Sequence, residues 1–187
     1  VFGSTLAIDC STSVPAPPTG TTTSCATQTL VDDTAPDLYW RDNVANATIT
    51  PEQARTGATL SIPAGAKVTY ARLYWSALKV GATADKNVAL DWKGGPIQTV
   101  NADDSWSMSY GFASHPDWYY YQSSADVTDY VAKWGSGDFR VTGVEALPLV
   151  GVEVDRAFSA WSMVVFYEKL GDELRNLALF DGFTSID

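Results

Sequence analysis

Two groups of acids and one crowd of aromatic rings are the parts of this sequence equipped to do chemistry. Asn101, Asp103 and Asp104 fall within four residues, and Asp32, Asp33 and Asp37 within six. Clusters of this kind could supply oxygen ligands to Ca2+, which takes roughly six to eight of them from carboxylates and backbone carbonyls. Neither follows the D-x-[DN]-x-[DN]-G spacing of a dedicated calcium loop, and solvated acidic loops account for both as well. Asn101, Asp103 and Asp104 are the preferred metal candidates because an aromatic loop follows them directly.

In that loop and just beyond it, Trp106, Tyr110, Phe112, Trp118, Tyr119, Tyr120 and Tyr121 crowd 16 residues. Ring faces stack on sugars and anchor protein interfaces with large, rigid contact area. Strand packing claims part of the set, since Tyr119 and Tyr121 alternate with Tyr120. Trp106, Tyr110, Trp118 and Tyr120 are the candidate ligand contacts.

Catalytic patterns are missing. The single histidine, His115, sits in a Gly/Ser/Pro-flanked loop, and no G-x-S-x-G elbow offers it a nucleophile. Too few His and Cys residues exist for a zinc site. A carboxylate pair for glycoside hydrolysis has only the abundance of acids behind it. The sequence points away from an enzyme and toward surfaces and partners. One covalent possibility is a lysine–asparagine staple promoted by a buried carboxylate, for which Lys67, Lys79, Lys86, Lys93, Lys133 and Lys169 are available.

The elements that must position these residues are mostly strands. From Thr69 to Ala77 the residues alternate, with Thr69, Ala71, Leu73, Trp75 and Ala77 on one face and Tyr70, Arg72, Tyr74 and Ser76 on the other, the pattern of a half-buried strand. Val88, Leu90 and Trp92 repeat it, and 97–100, 119–122 and 139–144 read as further strands. Strands are also expected over 45–49 and 58–62, with a turn or short helical piece at 51–55 between them. Residues 101–118 read as a long loop, and the first 35 residues or so as irregular. Phe158 to Tyr167 is apolar on both faces, as a strand in the middle of a packed assembly would be. A charged turn and a second strand over 176–180 would complete a core hairpin. The one helix expected spans 124–134, where Val127, Tyr130, Val131 and Trp134 fall at i, i+3, i+4 and i+7, with Gly135 as a stop and Asp126 as a cap.

Many strands, closely spaced turns and a single short helix predict an all-β fold, a jelly-roll-like antiparallel β-sandwich in one domain over residues 1–187. At 187 residues the chain is long enough to bury a sizeable core. An immunoglobulin-like sandwich is disfavoured because Cys10 and Cys25 lie in one N-terminal loop. They bracket a Pro/Thr/Ser stretch with little to bury, and a disulfide between them would tie it down, contributing about 3 kcal/mol by chain entropy.

A formal charge of −10, with 12 basic residues against 22 acids, excludes nucleic acid as a natural partner. No stretch approaches the roughly 20 apolar residues of a membrane span, so this segment is not membrane-inserted. The composition, rich in Thr, Ser, Gly and aromatics, fits an extracellular protein whose export signal has been removed.

Several phrases carry a resemblance when taken in order. They are TLAIDC ending at Cys10, APDLYW ending at Trp40, ARLYWSA over 71–77, SADVTD over 124–129, AWSMVVFY over 160–167 and RNLALFDG over 175–182. Together they resemble the N-terminal domain of very large myxobacterial cell-surface proteins of the adventurous gliding motility type, in which arrays of adhesin-like β-sandwich repeats follow. The resemblance implies an exported, cell-surface module of adhesion or gliding, with extracellular polysaccharide or surface proteins as partners. The abrupt end after Asp187 suits a piece of such a longer polypeptide. The resemblance implies no catalytic residue, ligand or metal site. The alternative is a carbohydrate-binding module that uses the aromatic loop, with or without Ca2+.

Overall fold

The alternation around Trp75 builds the centre of the molecule. In the computed structural model, which describes residues 1–10, 35–111, 113–149, 154–173 and 175–183, this stretch forms the longest strand, β6 (Lys67–Val80). Its inward side chains Ala71, Leu73, Trp75 and Ala77 are fully buried. Thr69 departs from the expected face. The ladder with the last strand slips between Phe166 and Tyr167, pairing Phe166 with Tyr70 but Tyr167 with Val68. That bulge at Thr69 turns Val68 into the core and leaves Thr69 exposed.

The other strands are β1 (Phe2–Thr5), β2 (Ala7–Ile8), β3 (Leu38–Arg41), β4 (Val44–Asn46), β5 (Arg55–Leu60), β7 (Asn87–Trp92), β8 (Gln98–Asn101), β9 (Asp104–Ser109), β10 (Trp118–Asp126), β11 (Gly137–Thr142) and β12 (Ser159–Glu168). One sheet has the order β1-β12-β6-β10-β9, and the other β2-β3-β5-β11-β7-β8 with β4 beside β3. From β5 onward the chain crosses between sheets at every step except the hairpin-like pairs β7–β8 and β9–β10. This interleaving is the jelly-roll form of an all-β sandwich. The two inner faces meet in one core that includes Trp75, Leu90, Tyr121, Phe139, Val141, Trp161 and Met163.

Five further features differ from the reading of the sequence. Residues 2–8 are not irregular. They form β1 and β2, joined at the fully buried Leu6, whose N–H donates to Ser159 of one sheet and whose carbonyl accepts from Trp40 of the other. Their short, polar wording hides them from any alternation test. The sandwich is not wholly antiparallel, because β3 and β5 meet in parallel at Arg41 and Arg55. The reversal through β4 returns the chain in the direction of β3.

The expected loop 101–118 contains β9, an edge strand of mostly Ser and Asp residues. The helix is shorter than expected, α1 (Thr128–Trp134), because residues 124–126 still pair with β6. Tyr130 and Val131 are buried as the spacing required, with Val127 just before the helix, while Trp134 is only partly buried. The cap position falls on Val127 rather than Asp126, whose carboxylate accepts the Thr128 N–H at 2.8 Å from one residue farther out. Finally, β12 has no hairpin partner over 176–180. Its two neighbour positions are taken by β1 and β6, so that segment stays outside with Leu177 and Phe180 exposed.

Cys10 is buried, and among the described residues no cysteine is free. Cys25, Asp32, Asp33 and Phe112 lie outside the described residues. No described helix is long and apolar enough to cross a membrane.

Candidate ligand-binding face

Two clusters of polar groups and one of rings arise where the sheets expose their outer sides. On the outward face of β6, Arg72 is nearly buried and gathers acids from separate parts of the chain. Its Nη2 donates to Asp104 at 2.5 Å and to Ser124 Oγ at 2.8 Å. Nη1 lies 3.5 Å from Asp103 and Nε 3.3 Å from Asp181. Asp103 also accepts the Asp126 N–H at 2.7 Å, and Asp181 accepts the Tyr74 hydroxyl at 3.0 Å. Burial first, and the Asp181 carboxylate second, push the Tyr74 phenol up to about 12.

Asp103 and Asp104 therefore turn toward a guanidinium, the group a calcium ion would have to displace. Asn101 ends β8 in the other sheet, paired across the ladder with Asn87. Among the described residues no group of His, Cys, Asp and Glu side chains is arranged to hold a metal ion.

The second polar cluster lies at the other end of β6. Lys79, which alternation turns inward, donates to Glu145 at 2.6 Å and to the Thr83 carbonyl at 3.0 Å. Asp85 is buried beside it and accepts the N–H groups of Asn87 and Glu145 at 3.1 and 3.0 Å. Burial, foremost, raises the Asp85 carboxyl above its ordinary value. These bonds pin the β6–β7 connection to the irregular segment following Thr142. They engage Lys79 with a carboxylate rather than an asparagine.

The rings collect where β10 begins. Trp118 and Tyr120 project from the outer face of β10, while Tyr121 points inward and is fully buried, its hydroxyl donating to the Glu145 carbonyl at 2.8 Å. Tyr110 continues from β9 and donates its N–H to the Trp118 carbonyl at 2.8 Å. Its ring centroid lies 5.7 Å from Trp118 and 5.6 Å from Tyr120. His115 stacks on Trp118 at 3.7 Å with the planes 12° apart. Phe158 stacks on Tyr120 at 6.0 Å. Beneath them Leu78, Leu147 and Ala157 form a small buried cluster that supports Tyr110, Trp118 and Tyr120.

Of the four candidate ligand contacts, Tyr110, Trp118 and Tyr120 thus touch one another. Trp106 stands farther along the same face, opposite Gln122. Sequence reasoning missed Phe158, Val80 and Arg72 as members of this face. Phe158 opens the stretch that reads as a core hairpin, and Val80 lies beyond the 69–77 stretch that reads as a strand. Arg72 did have a signal, as a charge on the outward side of a strand between two tyrosines.

A shallow cavity of about 270 Å³ opens elsewhere, lined by residues including Asp37, Tyr39, Asn46, Thr50, Glu52 and Leu149. One carboxylate oxygen of Asp37 accepts the Cys10 N–H at 2.8 Å. The Tyr39 hydroxyl donates to the Leu147 carbonyl at 2.6 Å, and its phenol is raised by burial and, less, by Glu52. The polar groups here hold the β3 region to the segment after β11.

Comparison of the chain with protein-family models, with curated proteins and with solved structures returned no match.

Proposed function

We propose that this chain is a non-enzymatic, extracellular module of a cell-surface adhesin or gliding motility protein, acting by binding or surface display. The resemblance to myxobacterial surface proteins suggests the setting. One observation carries the binding role: partly exposed aromatic rings, Tyr110, His115, Trp118, Tyr120 and Phe158, adjoin one another on the outside of a supported sheet. Rigid rings held from below offer contact area at little entropic cost, as binding surfaces do. The polar clusters around Arg72 and Lys79, by contrast, are consumed in holding chain segments together. A Cys10–Cys25 disulfide, formed during export, belongs to the same proposal.

The test has two parts. Surface biotinylation of intact source cells should label the native protein, and labelling only after lysis refutes the extracellular setting. The purified chain should bind extracellular matrix from those cells, and Trp118→Ala should weaken that binding. A matrix that captures wild type and variant equally removes the aromatic face from the proposal. Peptide mapping without reductant should recover Cys10 and Cys25 in one linked species, and two alkylated thiols would contradict the pairing.

A further inference from the structure

The face described above is longer than a patch. Cross-strand partners share a face, so the β9–β10 register lines up Met108 with Tyr120, Trp106 with Gln122 and Asp104 with Ser124, beyond the neighbouring Tyr110 and Trp118. At about 3.3 Å per residue the exposed stripe from Trp118 to Gln122 runs about 13 Å along the strands. At its aromatic end Val80 pairs with Trp118 and is 51% exposed, and Phe158 is 37% exposed. Along it, rings give way to the partly exposed Gln122 and Ser76. Gln122 Nε2 donates to the Gly182 carbonyl at 3.4 Å, and Ser124 lies fully buried beneath Arg72.

This mixture suits a ligand with apolar ring faces and polar edges. A sugar ring presents C–H groups to aromatic faces and hydroxyls to the rim. Electrostatics then choose among polysaccharides. The chain carries a formal charge of −10, and the far end of the stripe sets three carboxylates, Asp103, Asp104 and Asp181, against the single guanidinium of Arg72. An anionic polymer would be repelled along its whole contact, and a neutral one would not.

We infer that the β9–β10 stripe binds a neutral, linear polysaccharide lying parallel to the strands, stacked at Trp118, Tyr120 and Phe158 and reaching Trp106. The inference rests on the binding role proposed above and names its ligand class. No metal takes part.

The experiment is native affinity electrophoresis of the chain in gels cast with hydroxyethylcellulose, xyloglucan, galactomannan or dextran, and with carboxymethylcellulose as the charged counterpart. At least one neutral polymer should retard the protein, and the retardation should survive chelator. Phe158→Ala and Trp106→Ala should each weaken it at least about threefold, the scale of one lost stacking contact. Both variants are checked for wild-type far-UV circular dichroism and a cooperative thermal transition, and the partial exposure of Phe158 keeps that substitution off the core.

Retardation by carboxymethylcellulose alone, by no polymer, or equally in wild type and variants overturns the inference. So does a dimer in size-exclusion chromatography that Phe158→Ala dissociates, because a second copy would then own the face. If matrix binding persists and depends on Trp118 while every neutral polymer fails, the ligand class is wrong and the binding module stands.

Discussion

The indole N–H of Trp161, on β12, donates to the hydroxyl of Thr56, on β5, at 3.0 Å, with both groups buried. This bond crosses between the two sheets, so it fixes their relative placement where side-chain packing alone would leave some freedom to slide. Replacing Thr56 with valine keeps the volume and orphans the indole N–H. A buried donor left without a partner costs about 1–3 kcal/mol. For a domain of this size each kcal/mol lowers the melting temperature by about 2–4 °C. Differential scanning calorimetry of Thr56→Val should show that loss, and an unchanged melting temperature would mean the bond contributes nothing.

Arg72 is the clamp of the outer face. Arg72→Gln leaves Asp103, Asp104 and Asp181 facing one another without a cation, and the segment carrying Asp181 loses its principal anchor. Trypsin should then cut after Arg175 faster than in wild type, with the rest of the sandwich intact. In the same series, calcium should leave the wild-type melting temperature unchanged because Arg72 occupies the space among the acids. A rise on adding calcium to wild type would restore the metal reading of Asp103 and Asp104.

Acid stability should report two carboxylates of opposite sign. The hydrogen bond from Arg55, foremost, lowers Asp42 below its ordinary value of 3.8. Its stabilisation is present above that value and is lost as pH falls through the lower, folded value. Asp85 is raised by burial, so its contribution is present below 3.8 and is lost as pH rises through its higher folded value. Urea midpoints measured across the acid range should therefore flatten on the acid side in Asp42→Asn. They should lose a decline toward neutral pH in Asp85→Asn. Identical pH slopes in wild type and both variants would refute the assignment.

Gly137 makes room for a pair of indoles. Trp92 and Trp134 stack at 4.9 Å with their planes 11° apart. A β-carbon at Gly137 would meet Trp92 Nε1 at 2.3 Å, at a φ of +143° that side-chain-bearing residues rarely adopt. Gly137→Ala should cost about 1–3 kcal/mol as overpacking, and near-UV circular dichroism should show the stacked pair disturbed. Wild-type spectra and stability would show that the site relaxes freely.

The sandwich was legible wherever alternation was strong. Leu73, Trp75 and Ala77 announced β6, Val88 and Leu90 announced β7, and the spacing of Val127, Tyr130 and Val131 gave the buried side of the helix. What stayed hidden depended on partners distant in sequence. β1, with the wording Phe-Gly-Ser-Thr, is a strand because β12 lies beside it, and Gly3 fits because a β-carbon there would strike the Trp161 carbonyl at 2.3 Å. Residues 176–180 have strand wording but find no free neighbour.

The candidate site divides in the same way. Tyr110, Trp118 and Tyr120 could be picked from local crowding. Phe158 joins them only through the packing of the chain before β12, and the fate of Asp103 and Asp104 was decided by Arg72, about thirty residues away, through tertiary pairing.

The neighbourhood of β1 and β12 has a mechanical side. The strands run antiparallel, with Phe2 opposite Met163 and Thr5 opposite Ala160. The start of one therefore lies toward the end of the other. Tension applied at Val1 and at Glu168 would pull on the same end of the ladder, opening its rungs in succession, whereas shear would oppose all of them at once. Under such tension this pair would behave as a zipper, yielding first at the edge strand while β12 remains seated on β6.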